Sequence, residues 1–530
     1  MAIDDRFRRL WDHITPVQRS AFICCFIAGY LAHLFAFTNI IPNSDGLSRV
    51  FELQQMTIAG RWFLHSATAP SGFTQMPAAI GLLSMLFLSL AAALTVDLLG
   101  YRSRMLAGLS GVLMAVFPAL GYTFLYMFTA SAYCISIFLA VLSVWLAEKG
   151  GRIRIPLASA VLSLSMGTYQ AYVTLAIGLC LLVVLRRVLD TESTFRGTLE
   201  LGIRFIVYLA AGGILYYVIL QIFLRVKHLE LWAYLGMDAA SSGYPFSRLP
   251  TLIAATYKQV ASFFFLPGAP QAFTTPVLVL LDLVALVLGI SLFLTVLRGK
   301  KLWMQHWRPI TSLIMLALLP LGINFIQILS PYSVPTPLVK YAFVLPYLAV
   351  LLVADLCDSE MIRGCFIPIT AGWTALLLLF FLNTNNIIYT ASSQAHRATE
   401  SYMTRLMARI EECPGYRPGM ELVIIGTVPE DQLRSQIESY ARVDHYSVPL
   451  NHLLSLNKHI YYYLEDWLNI PAPMPPEETM IAVSDSDAFQ SMPLYPSPGS
   501  IQVLDNRVVV KLMPQYTPKS QFELDYENRH

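Results

Sequence analysis

The chain has 530 residues, of which 56% are hydrophobic and only 13% charged, where a soluble domain carries about 25%. That balance excludes an ordinary soluble enzyme and selects a membrane class. The net charge of +2 argues neither for nor against nucleic acid, and no Gly-rich phosphate loop, zinc-type Cys/His spacing or Lys/Arg run is present, so no nucleic-acid partner is expected.

The N-terminal "MAIDDRFRRLWDHITPVQRS" is basic and mixed, and a long apolar run follows it. A cleaved signal would show a shorter apolar core and a small-residue cleavage site, so this stretch reads as the cytoplasmic tail of a first span. A span needs roughly 20 apolar residues. Candidate spans lie near 20–41, 75–98, 105–122, 126–147, 155–168, 170–187, 203–224, 276–297, 309–329, 338–355 and 364–383. The expectation is a polytopic α-helical membrane protein of about eleven transmembrane helices, with tight turns near Tyr122 and Tyr169.

Lys and Arg in short loops set orientation. Arg102 and Arg104, Lys149, Arg152 and Arg154, Arg186, Arg187 and Arg196, and Arg298, Lys300, Lys301 and Arg308 fall on one side with the N-terminal tail. That side is read as cytoplasmic. The loop 42–74 is then outer, as is everything after about residue 385, since the number of spans is odd. Six cysteines lie in or beside apolar runs, as small buried hydrophobes do; only Cys413 lies in the polar C-terminal region, which therefore has no internal disulfide available.

The first outer loop contains "IPNSDGLSRVFELQQMTIAGRWF" (41–63). On a helix Asp45, Arg49 and Glu52 share one side, with Leu47, Val50 and Phe51 on another, the pattern of a helix lying on the membrane surface. A solvated linking helix would explain this. The loop's length, and its placing of an acid, two guanidiniums and Trp62 where a lipid-borne substrate arrives, favour a functional reading.

Further along, "SMGTYQAY" puts Tyr169 and Gln170 at an outer turn, either as an interfacial aromatic belt or as the lining of an aqueous pocket, because polar groups at membrane depth are costly unless paired. Arg225, Lys227 and Lys258 lie in a long outer loop. Asp282 sits just inside a span, while Asp97 and Asp355 lie near inner ends, where pairing with Arg102 or Arg363 is the plain explanation. Asn324, Gln327, Lys340 and Tyr341 fall at outer helix ends. Lys340 either snorkels to the headgroups or binds a phosphate.

From residue 385 to 530 the composition turns polar, and a small α/β domain is expected there. It comprises a strand in "MELVIIG", helices in "PEDQLRSQIESYARV" and "NHLLSLNKHIYYYLEDWLN", and a Pro-rich linker. A short strand "TMIAVS" and a hairpin turning at Asp505-Asn506 follow. "DSD" at 485–487 looks like metal-binding carboxylates, but Ser484 or Asp485 as a helix cap is the simpler reading. His445, His452 and His459 recur every seven residues, about 10 Å apart along a helix, too far to share one ion.

"NSDG" with "AGRW" in the first outer loop, "TYQ" at a later outer turn, and a many-span body with a small C-terminal domain together resemble bacterial membrane glucosyltransferases that modify O-antigen, the serotype-converting glucosyltransferase II family. The resemblance covers essentially the whole chain and implies a GT-C-like transmembrane catalytic domain (1–384) and a periplasmic domain (385–530). The implied reaction moves a sugar, glucosyl or a related one, from a polyprenyl-phosphate donor to O-antigen or a related surface polysaccharide at the outer face of the inner membrane.

It further implies Asp45 as catalytic base or acceptor-binding carboxylate, and Arg61 and Trp62 as holding the loop or contacting substrate. Glu52, Arg49, Tyr169, Gln170, Lys340, Tyr341, Arg225 and Lys258 complete the candidate substrate-binding set. No cofactor is called for, a divalent cation remaining an open alternative. The expected partners are the bilayer, the polyprenyl-phosphate sugar, a lipid-linked polysaccharide acceptor, and a donor-lipid synthase and flippase of the same pathway. A flippase for a lipid-linked sugar and an O-antigen polymerase stand as alternatives.

Overall fold

The computed structural model describes residues 14–47, 51, 53–231, 246–268, 273–330, 336–357, 360–433 and 452–518. The chain divides into two compact units, one of residues 1–38 and 53–386, the other of Asn39–Glu52 with Ile387–His530.

The first unit is helical. Ser, Thr and Pro set helix starts as their chemistry requires. The Thr15 hydroxyl accepts from the Gln18 amide at 3.2 Å while Thr15 N–H donates to Gln18 Oε1 at 2.8 Å, opening Pro16–Ala32. Thr275 caps Pro276–Gly299 in the same region of its own helix, accepting from Leu278 N–H. Among the described residues eight helical stretches are long and apolar enough to cross a bilayer, and Pro16–Ala32 and Trp307–Ile323 are shorter apolar helices. Each of the eleven expected spans coincides with a helix, Arg154–Thr168 being the remaining short one. This is a polytopic helical membrane protein.

Burial sorts these helices into layers. In Arg104–Leu125 and Pro337–Asp355, 83% of the most apolar stretch is buried, against 28% in Phe195–Val226 and Pro276–Gly299. The outer helices expose Ile206, Ile214, Leu280 and Val287, apolar side chains that suit contact with lipid tails. Pro16–Ala32 packs on Arg104–Val116 and on Pro77–Leu99, and Met127–Lys149 packs on Pro77–Leu99 and on Arg154–Thr168.

Pro118 breaks one inner helix. It has no N–H to offer the Met114 carbonyl, so Arg104–Val116 stops at Phe117 (φ −56°, ψ 127°) and Pro118–Leu125 resumes. Carbonyls freed inside a membrane need new donors. Tyr341 Oη–H supplies Met114 O at 2.9 Å, His33 Nε2 supplies Ala115 O at 2.8 Å, and Asn385 Nδ2–H supplies Val116 O at 2.7 Å. Three distant segments thus hold the break.

Several expectations are corrected. The described residues of 42–63 form two 3₁₀ turns, Ser44–Gly46 and Thr57–Ala59, rather than an α-helix. Gly46 and the left-handed Gly60 end them. The helix that carries the last expected span continues well past residue 383, as Glu360–Glu411, because its polar second half is rich in Ala, Arg, Glu and Met, strong helix formers. A helix, Leu249–Phe265, occupies the long loop in which Lys258 lies. Asp355 accepts from the backbone N–H groups of Arg102 and Ser103 at 2.6 and 2.8 Å, capping the next helix start rather than pairing with a side chain of Arg102. Asp97 binds Trp145 Nε1–H at 2.7 Å and lies 3.9 Å from Lys149 Nζ.

In the second unit β1 (Glu421–Ile425), β2 (Ile501–Leu504) and β3 (Arg507–Lys511) form a sheet in the order β1-β3-β2, with β1 parallel and β2 antiparallel to β3. Asp505 and Asn506 turn the hairpin at φ 47° and 60°, as a two-residue type I′ turn requires. Leu422, Val423, Ile424, Val508, Val509 and Val510 are buried in its core. "TMIAVS" is part of a helix, Glu477–Ser484, not a strand, and the cap of the next helix is Ser486, whose hydroxyl accepts from Phe489 N–H at 3.3 Å. His452 bonds the Val428 carbonyl and His459 is buried near Ser455. His445, and most of the helix expected in 429–443, lie outside the described residues.

Candidate active site

In the helical unit the segment 53–72 is clipped onto the turn between Arg154–Thr168 and Val173–Val188. Gln170 Nε2–H donates to Ala59 O at 2.8 Å and to Tyr216 Oη at 3.0 Å, and Tyr216 Oη–H donates to Gly60 O at 3.0 Å. Phe63 N–H donates to Gly167 O at 2.8 Å. The "AGRW" and "TYQ" segments, over a hundred residues apart in sequence, therefore meet through backbone carbonyls.

The clip sets the direction of Arg61. Its guanidinium lies 4.8 Å from the centre of the Tyr169 ring and donates to Tyr133 Oη at 3.1 Å. Tyr133 and Tyr169 stack at 4.4 Å and 17°. Arg61 Nε is buried with no acceptor, and among the described residues no carboxylate pairs with this guanidinium. A half-buried cation held by a ring face and one phenol retains donors for an anion. Trp62 is packed rather than presented: it stacks on Phe223 at 5.9 Å and 15° and fills the space beside Gly167.

A ladder of buried rings leads from Arg61 to the second cation. Tyr169 meets Tyr172 at 5.5 Å, and Tyr172 meets Tyr341 edge-on at 6.2 Å. The neighbouring Lys340 is 6% exposed, so it does not snorkel, and its ammonium stands 5.5 Å from the centre of the Phe263 ring. Lys340 departs from helical geometry (φ −96°, ψ 20°) within Pro337–Val344. Tyr341 uses its hydroxyl on the Met114 carbonyl, which makes it part of the scaffold.

Not every candidate joins this cluster. Arg225 and Lys258 are exposed, on Phe195–Val226 and Leu249–Phe265. Asp282 is buried and accepts from Tyr347 Oη–H at 2.8 Å. Asn324 Nδ2–H donates to Gln259 Oε1 at 2.9 Å, and Gln259 Nε2–H to Gln327 Oε1 at 3.0 Å, a chain of three amides. Sequence reading missed Tyr133 and Tyr216, because an isolated Tyr in an apolar run carries no local sign of its partner.

In the second unit the 3₁₀ turn closed by Gly46 N–H to Asn43 O (3.0 Å) carries Asp45. Asn43, Ser44, Gly46 and Leu47 are buried and Asp45 alone of the five is exposed. Arg49 and Glu52 lie outside the described residues, so their expected side-sharing with Asp45 has no structural counterpart to report.

The multi-span helical body defines a membrane protein, and its helical unit sets two cations, Arg61 and Lys340, against aromatic rings. The family model for glucosyl transferase GtrII matches residues 34–353, more than half of the chain. The chain belongs to that family and is a membrane glucosyltransferase. Searches of curated proteins and of solved structures found no match.

Proposed function

We propose that this glucosyltransferase takes its sugar from a polyprenyl-phosphate donor and transfers it to O-antigen or a related surface polysaccharide at the outer face of the inner membrane. The N-terminus is cytoplasmic and the C-terminal unit periplasmic. The observation that carries the reading is the Arg61 guanidinium, poised on Tyr169 with no carboxylate partner among the described residues and joined through Tyr172 and Tyr341 to the segment bearing the buried Lys340.

A donor whose leaving group is a lipid phosphate needs cations where charge develops. Arg61 and Lys340 supply them, and the ring face of Tyr169 and the amide of Gln170 line the sugar pocket. Asp45 is the base: its carboxylate takes the proton of the acceptor hydroxyl as that oxygen bonds to the anomeric carbon. The bond from the anomeric carbon to the phosphate oxygen breaks, and polyprenyl phosphate departs with the electron pair.

The broken helix at Pro118 is the one feature that favours a flippase, since discontinuous helices offer carbonyls to transported ions or substrates. Here the freed carbonyls of Met114, Ala115 and Val116 are taken by Tyr341, His33 and Asn385, which supports the transferase.

The test uses purified protein in nanodiscs with a panel of polyprenyl-phosphate sugars. Release of polyprenyl phosphate is followed with and without lipid-linked O-antigen, and Asp45→Asn is the control. Acceptor-dependent release that the control lowers by about a hundredfold or more supports the reading. No release from any donor, together with donor movement across a liposome bilayer, replaces it with the flippase.

A further inference from the structure

We propose that Trp467 is a positioning residue for Asp45, a role that rests on Asp45 being the base. Residues Asn39–Glu52 are a part of the C-terminal unit, and Leu47, two residues after Asp45, is its anchor. The Leu47 side chain is 0% exposed within the core that contains Met403, Val423, Leu464 and Val509. The Leu47 carbonyl accepts from Trp467 Nε1–H at 3.1 Å. Side chain and carbonyl of one residue are thus held by the same unit, and the 3₁₀ turn before it projects only Asp45 outward.

The indole is itself oriented from two elements. Tyr463–Trp467 is a π turn, closed by Leu468 N–H to Tyr463 O at 3.1 Å. That wider turn brings Tyr463 and Trp467 nearly parallel, at 6.3 Å and 17°; π turns recur at functional sites because they re-aim side chains. His396, on Glu360–Glu411, meets the indole edge-on at 5.0 Å and pairs its Nδ1 with Tyr463 Oη at 3.2 Å. His396, Tyr463 and Trp467 therefore form a bracket whose indole N–H falls on the Leu47 carbonyl, at the end of the Asp45 turn. A capping domain with no part in chemistry does not require this bracket.

Trp467→Phe keeps the ring and deletes the N–H. The experiment compares wild type, Trp467→Phe, Asp45→Asn and the double variant in nanodiscs, with polyprenyl-phosphate glucose and lipid-linked O-antigen. Turnover, donor KM and hydrogen exchange of 39–47 and of the β1–β3 sheet are measured. We expect Trp467→Phe to lower kcat by about tenfold, since small misplacements of a reacting group have large effects. Donor KM stays unchanged and exchange rises at 39–47 alone. In the Asp45→Asn background the same change has no further effect, because groups acting as a unit are non-additive.

Wild-type exchange at 39–47, or a loss that multiplies in the Asp45→Asn background, overturns the proposal. Should Trp467→Phe also open the sheet, Trp467→3-benzothienylalanine, isosteric but without the N–H, gives the same comparison. If Asp45→Asn transfers normally, the base assignment falls, and with it the positioning role; the exchange measurement then still reports separately whether Trp467 holds the turn.

Discussion

Gly167 and Trp62 occupy one another's space: a Cβ on Gly167 would stand 2.6 Å from Cε2 of the indole, where no real side chain can sit. The absence of a side chain at Gly167 lets the indole lie flat against the helix end, and Phe63 N–H closes on the Gly167 carbonyl beside it. This contact and the Gln170 clip fix Arg61 over Tyr169.

Gly167→Ala is therefore expected to destabilise the helical unit by about 1–3 kcal/mol through overpacking. The atoms it meets, Cε2, Cζ2 and Cδ2, belong to the fused six-membered ring of the indole, so Trp62→Phe, with a single smaller ring, should recover part of the loss in the same chain. Thermal unfolding of the two single variants and the double variant checks this; strictly additive losses would mean that the two residues do not share the space.

Gln170 binds one carbonyl and the Tyr216 hydroxyl, which in turn binds another. Tyr216→Phe leaves the Gly60 carbonyl without its donor and Gln170→Leu does the same to the Ala59 carbonyl, so each should cost about 1–3 kcal/mol. Both should speed hydrogen exchange at 57–63 and raise donor KM, as Arg61 loses its support.

Arg308 is 1% exposed and all its nitrogens are used. It donates to the carbonyls of Val188, Asp190, Thr191 and Ser193 and to Gln305 Oε1, closing the end of Val173–Val188. A lysine has three donors on a single nitrogen and cannot span that arc. Arg308→Lys should destabilise by about 2–4 kcal/mol, read as a fall in melting temperature and as faster exchange across 185–193, with the donor KM unchanged.

His459 supplies a pH dependence. Burial first, and then the charges of Lys458 and His452, push it down from the usual 6.5 to about 4. The unfolded chain therefore binds a proton below pH 6.5 that the folded unit resists until about pH 4, and stability falls as pH falls through that window. Each pH unit inside it costs about 1.4 kcal/mol. The opening free energy of the β1–β3 sheet, from exchange corrected for intrinsic rate, should drop between pH 6.5 and 4.5, and His459→Gln should flatten the drop.

How much of this was legible depends on the range of the interaction. The spans, the β1 strand and the hairpin at Asp505-Asn506 follow from local hydropathy, turn chemistry and period. The glucosyltransferase resemblance, read on "NSDG", "AGRW" and "TYQ", agrees with the family match over 34–353. Local patterns misled where a neighbour overrode them. "TMIAVS" has the composition of a strand but follows Pro476, Glu477 and Glu478, a helix start. Arg308 counted as a loop charge for orientation but is spent on four carbonyls.

The sequence by itself determined a many-span helical body, a mixed C-terminal fold and the short motifs, because hydrophobic length, caps and two-residue turns act within a few residues of chain. Only the tertiary structure decided that Arg61 rests on Tyr169 and Tyr133, that Tyr341, His33 and Asn385 satisfy the break at Pro118, and that the Asp45 turn belongs with Trp467. Those relationships join residues from about seventy to more than four hundred positions apart. They form because a buried donor or carbonyl must find a partner wherever the packed chain offers one, and no local pattern records where that is.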